Sequence, residues 1–434
     1  MRVENRNGYL NSLLAGRETD AGSGWLRALR MRAVERANEL SVPTMRDEEW
    51  RFTDLSPLYK IFFQPASGIG NLDRSQLDAF TLPEAPTRLV FVDGCYSAEL
   101  SSAAANEGAT VGNIANVSKT SDHMLETHLA KLALIDNDAF AAVNTAFLRD
   151  CAVVHVARDR VLSTPIHLLF VATQKDSAAY PRVLVVAETG SQCMIVEDFV
   201  SVVDGAYLTD AVSEFYVAGN ARVSHVKLQR EAVTAFHIAN TAVRVERSGY
   251  YATWTVALGA RISRHNLSIV QAGEGTEFSI DGLALIGGRQ LADMHSSIDH
   301  AYAHGQSRQL HKTVVGGGAH AVFNGKILVR EGAQQTDSGQ QSRNLLISSK
   351  AHVDTKPQLE IFADDVKCAH GATVGQIEAE ELFYLKSRGL SDTAARNLLT
   401  YAFAAQVIER IPVKSLVDRL KKTVLEQTQT KETA

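Results

Sequence analysis

"FSIDGLALIGG", Phe278 to Gly288, is a short apolar run that ends on paired glycines, with Phe278 and Ile280 alternating with polar neighbours. That length and alternation describe a strand, because successive side chains of a strand point to opposite faces. Runs of the same kind lie on both sides of it. Upstream are "RLVFVDG", "CAVVHVARD", "IHLLFVAT", "RVLVVAETG", "QCMIVEDFV", "EFYVAGNARVSHVKL", "TWTVALG" and "HNLSIVQAG"; downstream are "VFNGKILVREG" and "RNLLISS". Gly259, Gly273, Gly282, Gly287, Gly325 and Gly332 punctuate them. Beyond Thr87 the chain carries almost no helical period as far as Gly375.

One flat sheet of so many strands would be unusual, and the helical crossovers of a doubly wound sheet are missing. Closure or stacking is required, and neither a propeller signature nor a clear sequence repeat is present. Inward alternation at Trp254, Val256 and Leu258, at Phe278 and Ile280, and at Ile327 and Val329 predicts an irregular β-helix of stacked coils. The expected class is mainly β, with a β-helix core over 86–376. An N-terminal helical region with an irregular arm occupies 1–85, and a C-terminal helical domain 377–434.

The flanks carry the helical period. In "WLRALRMRAVERANEL", Trp25 to Leu40, apolar residues fall at near-helical spacing. The arm "SVPTMRDEEWRFTDLSPL", Ser41 to Leu58, holds Trp50 and Phe52, read as anchors on a core. Near the other end, "EAEELFYLKSRG" places acids first and bases last, with Gly389 where a cap belongs. Ser391 caps "DTAARNLLTYAFAAQVIERI", Pro412 closes it, and Val413, Leu416, Val417, Leu420 and Val424 form one stripe of a last helix. This terminal pair either packs on its own domain or serves as a docking platform. The tail from Gln427 is polar and is expected to fray.

The 434 residues carry a net charge of −5. With no Lys/Arg block, they leave no electrostatic footprint for nucleic acid or a membrane surface. Cys95, Cys151, Cys193 and Cys368 lie far apart, which indicates neither a disulfide framework nor a self-contained zinc site and suits a reducing cytosol. With no secretory signal and no run of about 20 apolar residues, a soluble cytoplasmic protein is expected. "VVGGGAHAV" fits neither a P-loop nor GxGxxG, and HExxH and GxSxG are missing.

Two stretches bear ligand chemistry. "ADMHSSIDHAYAHGQSRQLHK", Ala292 to Lys312, gathers His295, His300, His304 and His311 with Asp293 and Asp299. His295, His300 and His304 are metal candidates by residue type, but on a strand His295 would oppose the other two. Polar ladders at solenoid turns also produce such clusters without metal. In "DVKCAHGATVG", Asp365 to Gly375, an extended backbone would put Val366, Cys368 and His370 on one face. Thiolate and imidazole are both ligands for iron or zinc, yet two ligands do not close a site that normally takes four. A packed free cysteine beside a locally satisfied histidine, and a Cys–His nucleophile without an orienting group, are the other readings.

Three passages carry a family resemblance. "DTKPQLEIFADDVKCAHGATVGQIEAEELFYLKSRGLS" (Asp354 to Ser391), "SRQLHKTVVGGGAHAVFNGKILVREGAQQTDSGQQSRNLLIS" (Ser307 to Ser348) and "RDEEWRFTDLSPL" (Arg46 to Leu58) resemble the SufB/SufD family of iron–sulfur cluster assembly scaffold subunits, on its SufD side. The resemblance implies a helical N-terminal region, a right-handed β-helix and a C-terminal helical domain. It implies a non-catalytic subunit that pairs with a SufB-like paralogue, or with itself in isolation. The ABC-type ATPase SufC would sit on the C-terminal helices, for which Leu398, Leu399, Phe403, Leu416 and Leu420 are the candidate contacts. ATP would then bind to SufC and not to this chain. His370 would be a ligand to iron or to a transient iron–sulfur cluster at the subunit interface, with Cys368 secondary; a flavin is left undetermined. Ala369 stands where the family often has serine, and His311 where it often has tyrosine. The competing classes are a β-helix enzyme acting on polysaccharide, disfavoured by the lack of a signal or an aromatic stripe, and a metal-dependent enzyme using His295, His300 and His304.

Overall fold

Alternating apolar strands that cannot bury both faces alone must stack on copies of themselves, and the chain does so. A computed structural model of the protein describes residues 6–16, 24–68, 70, 72–102 and 108–431. Two facing sheets form a β-solenoid of about eight coils. The first sheet runs from Ala152–Val156 to His352–Ile361, the second from Thr87–Val92 to Lys367–Gln376, and their main ladders are parallel. Each coil contributes one strand to each sheet, so side chains form columns. On the lumen side of the second sheet one column reads Ile195, His225, Thr253, Ile280, Gln309, Gln340, His370. Beside it run Cys193, Val223, Tyr251, Phe278, Ser307, Ser338 and Cys368.

The early lumen is apolar, with Phe91, Phe170 and Phe199 stacked at centroid spacings of 5.2 and 4.8 Å. Burying each such ring contributes roughly 1.5–3 kcal/mol. The corners need tight backbone. Gly317 has φ +58°, and a Cβ there would lie 2.7 Å from the amide of Gly288 in the coil below. "VVGGGAHAV" is therefore a stacked corner, its Gly318 amide donating to the Gly288 carbonyl at 2.8 Å.

The long non-helical stretch expected beyond Thr87 is interrupted by two helices, Ile114–His128 and Ala139–Ala146. Every residue of Ala139–Ala146 is buried, so it has no polar face to generate a helical period, although Asp138 caps it through the amides of Phe140 and Ala141. Ser121 breaks the period of the other helix with non-helical φ/ψ. The segment joining them is held by Glu214, which accepts from the amides of Ala130, Leu132 and Ala133 and pairs with Arg182 at 2.7 Å, fully buried.

The arm is anchored as expected at Trp50, which lies against Phe140 and over the Arg264 guanidinium at 3.7 Å. At the other end Ser391 caps Asp392–Ile408 through the Ala394 amide. The helices Asp392–Ile408 and Lys414–Lys431 lie on the outer face of the second sheet. The last helix continues through the polar tail to Lys431, and 432–434 lie outside the described residues. Among the described residues no helix is long and apolar enough to cross a membrane.

Candidate functional site

The two ends of the solenoid differ. At the start, short antiparallel strands close both sheets: Ala109–Asn113 on the first and Cys95–Ser102 on the second. At the finish, His352–Ile361 and Lys367–Gln376 pair with one neighbour each and form the outer edges. Among the described residues no further coil covers them. Strands of the middle coils are mostly buried, whereas these two are half-buried to exposed along their length.

Cys368 and His370 stand on that last strand and face the lumen side, since they stack on Ser338 and Gln340. Val366 and Cys368 pack against the end of the lumen core, and His370 is exposed. The expectation drawn from alternation holds: thiol and imidazole share a face. Burial raises the thiol of Cys368, partly opposed by the Ser338 backbone. It is therefore a poor spontaneous nucleophile near neutrality, and a metal ion would have to displace its proton. Behind the pair the lumen turns polar. Gln340 donates to Gln309 at 2.8 Å, and the Ser338 and Ser307 hydroxyls meet at 2.6 Å. The carbonyl oxygen of the Gln340 side chain is buried without a partner, one coil below His370 in the same column.

A groove of about 730 Å³ runs along the outer face of the same sheet, between Ala369, Gly371 and Thr373 of the last strand and Gln406 and Arg410 of the helix Asp392–Ile408 and its C-terminal turn, and reaches the edge at His370. Arg410 pairs with Asp281 at 3.0 Å, and Lys312 donates to the Phe403 carbonyl at 2.8 Å beneath the Phe403 ring. The helical pair is thus tied to strands that lead to the open end.

The histidine-rich stretch does not converge. His295 lies on the outer face beside Asp293, Glu49 and Arg264; burial would lower its pKa, but the Asp293 carboxylate outweighs burial and raises it. Its two ring nitrogens are already taken up by Asp293, Arg264 and Glu49. His300 faces the lumen with both ring nitrogens engaged, by Gln271 at 2.9 Å and Ser307 at 3.0 Å, and burial pushes it down to about 4. His304 is not on the strand: it sits in the next corner with φ +59°. His311 is also buried and packs on Phe323.

Of the five platform residues, Leu416 and Leu420 are 1% and 4% exposed and hold the last helix to the sheet, because the apolar stripe is spent on packing. Leu399 is half-buried, and Phe403 packs against the same cluster. Leu398 remains exposed, as do Phe383 and Tyr384 on the preceding helix Ala379–Ser387. One group of ligand residues was not read from the sequence: His320, His352 and Asp354 converge on the outer face of the first sheet. Their coil register, invisible without the fold, is what brings them together.

Fold and site together define a β-solenoid subunit with one bare end that carries a thiol and an imidazole. Residues 170–403 match the family described as SUF system FeS cluster assembly, SufBD core domain, and residues 18–168 match the SufBD protein N-terminal region. The chain belongs to the SufBD family of iron–sulfur cluster assembly proteins. It is 41% identical over 407 residues to an iron–sulfur cluster assembly SufBD family protein of Synechocystis, covering 91% of this chain and 89% of that protein. It is 35% identical over 375 residues to the iron–sulfur cluster assembly protein SufD of Escherichia coli, covering 85% of each. The SufD of Bacillus subtilis is 26% identical over 409 residues, covering 91% of this chain and 92% of that protein.

Proposed function

We propose that this chain is a non-catalytic scaffold subunit in which the bare end of the solenoid is completed by a second, SufB-like subunit, and that iron or a nascent cluster is held at the resulting seam. The observation that carries the reading is the edge position of Lys367–Gln376 together with Cys368 and His370 on it. Exposed sheet edges are templates for pairing with another chain, and monomeric proteins usually blunt them. Ile361, Phe362 and Val374 add exposed apolar surface at the same end.

His370 is the first ligand from this chain and Cys368 the second candidate. Two donors leave a four-coordinate iron incomplete, so capture waits for donors from the partner. The cluster is cargo: it leaves for other proteins, which suits a site assembled from halves that separate. ATP is handled by a SufC-type ATPase seated on the C-terminal helices, with exposed Leu398, Phe383 and Tyr384 as its contacts. Movement of those helices would reach the last strand through the groove that Gln406 and Arg410 share with Gly371 and Thr373, the neighbours of His370 on that strand.

The test is purification from the native host under anaerobic conditions, followed by intact-complex mass spectrometry. Recovery with a paralogous β-solenoid subunit and an ABC-type ATPase is expected. A chain recovered alone or as a homodimer from cells that express both partners would overturn the reading.

A further inference from the structure

We propose that His320, His352 and Asp354 form a binding site for a divalent first-row transition-metal ion on the outer face of the first sheet. His320 and His352 are direct register partners on the adjacent parallel strands His320–Val329 and His352–Ile361. Such partners project side by side to the same face. Asp354 lies two residues beyond His352 and so shares that face. The ring centroids are 4.9 Å apart. One carboxylate oxygen of Asp354 lies 2.7 Å from Nε2 of His320 and 3.2 Å from Nε2 of His352.

The three ligand atoms lie within 4.8 Å of one another, close enough to reach one ion with small side-chain rotations. With bonds of roughly 2.0–2.2 Å, neighbouring ligand atoms stand about 3 Å apart in octahedral and about 3.4 Å apart in tetrahedral coordination. Two imidazoles and one carboxylate on a single side form the facial donor set suited to iron(II) and accessible to zinc or cobalt, with open positions for water. Here the open side is the one where His352 is 66% exposed, while His320 and Asp354 are about a quarter exposed and fixed. The backbone beneath is pinned: the amide of His320 donates to the Gln290 carbonyl at 2.9 Å and that of His352 to the Ala319 carbonyl at 3.0 Å. The site is separate from Cys368 and His370, which lie on the other sheet and face the lumen. It does not rest on the assembly role.

The test uses the full chain, stripped of metal and handled anaerobically. Equilibrium dialysis against Zn²⁺ or Fe²⁺ with elemental analysis, and titration with Co²⁺ read by its visible absorption bands, measure stoichiometry and affinity. One equivalent per chain is expected. Asp354→Asn and His352→Ala should each weaken binding at least about tenfold, since even indirect partners of metal ligands contribute that much. His370→Ala should leave it unchanged. Because His352 is exposed, His352→Ala retains the fold and a negative result is interpretable. Absence of stoichiometric binding at micromolar metal, equal affinity in Asp354→Asn, or loss of the ion in His370→Ala would each overturn the proposal.

Discussion

On the proposed edge pairing, replacing Ala372 by proline should loosen the second subunit without harming this chain. In a parallel ladder alternate residues of a strand bond to one neighbour and the rest point the other way. The Lys367 amide donates to the Thr336 carbonyl of the preceding coil. Lys367, Ala369, Gly371, Thr373 and Gly375 therefore face inward, and Cys368, His370, Ala372, Val374 and Gln376 direct their backbone groups to the free edge. The first sheet is different. The His352 amide bonds inward, so Pro357 falls at an outward position, where it has no donor to offer. The last strand of the second sheet is thus the more complete template.

Five outward residues present five donors and five acceptors. At about 1 kcal/mol net for each bond, a full added strand gains roughly 10 kcal/mol. That is comparable to the estimated 4–15 kcal/mol cost of association, so a few bonds decide the outcome. Ala372→Pro removes one donor and crowds the facing carbonyl, a loss of about 2–3 kcal/mol, or roughly 30- to 160-fold in Kd. The assay is sedimentation equilibrium of this chain with its purified paralogue, beside thermal unfolding of the chain alone. Thr373→Pro is the contrast, because it breaks a bond to the preceding coil and should lower the chain's own stability. An unchanged Kd in a folded Ala372→Pro variant would refute edge pairing.

Two further outcomes follow from buried charges. Glu214→Gln leaves the Arg182 guanidinium buried without its anion, and urea unfolding should show about 3–5 kcal/mol of lost stability; a change below about 1 kcal/mol would contradict this role. Burial alone would raise the Asp198 carboxyl, but the Arg230 guanidinium at 2.5 Å, with the His167 imidazole 3.5 Å away, outweighs it and holds it at about 2 against an ordinary 3.8. The unfolded chain therefore takes up that proton first on acidification, so the contribution, about 2 kcal/mol, is complete above the ordinary value and disappears as pH falls through about 2. Unfolding measured from pH 5 to pH 2 should show native and Asp198→Asn chains converging in stability as pH falls; a constant gap would refute the assignment.

Strand runs, the corners at Gly259, Gly273, Gly287 and Gly332, the Ser391 cap and the stripe Val413 to Val424 were legible, because each depends on neighbours in sequence. Gly282 and Gly325 instead sit inside strands, packed close to His311 and Gln340, and Trp254, Val256 and Leu258, expected to point inward, face the C-terminal helices on the outer side. Ala139–Ala146 was not, since a helix buried on every side has no period to betray it. The stripe of the last helix announced burial but not the covering surface, and Leu416 and Leu420 turned out to face this chain's own sheet. Cys368 and His370 were legible because an i, i+2 pair on a strand needs no tertiary knowledge. His320 and His352 were not, because only the coil register sets them side by side. The triple glycine illustrates the reverse: its sequence excluded a nucleotide loop, and the stacked corner supplies its reason.

The most direct measurement is anaerobic cluster reconstitution on the intact complex carrying His370→Ala, read by visible absorption and Mössbauer spectroscopy, with complex mass as the control. A sharply reduced cluster yield on a fully assembled complex is the expected result. Full cluster formation with alanine at that position would contradict the claim that the bare end of this solenoid supplies a ligand.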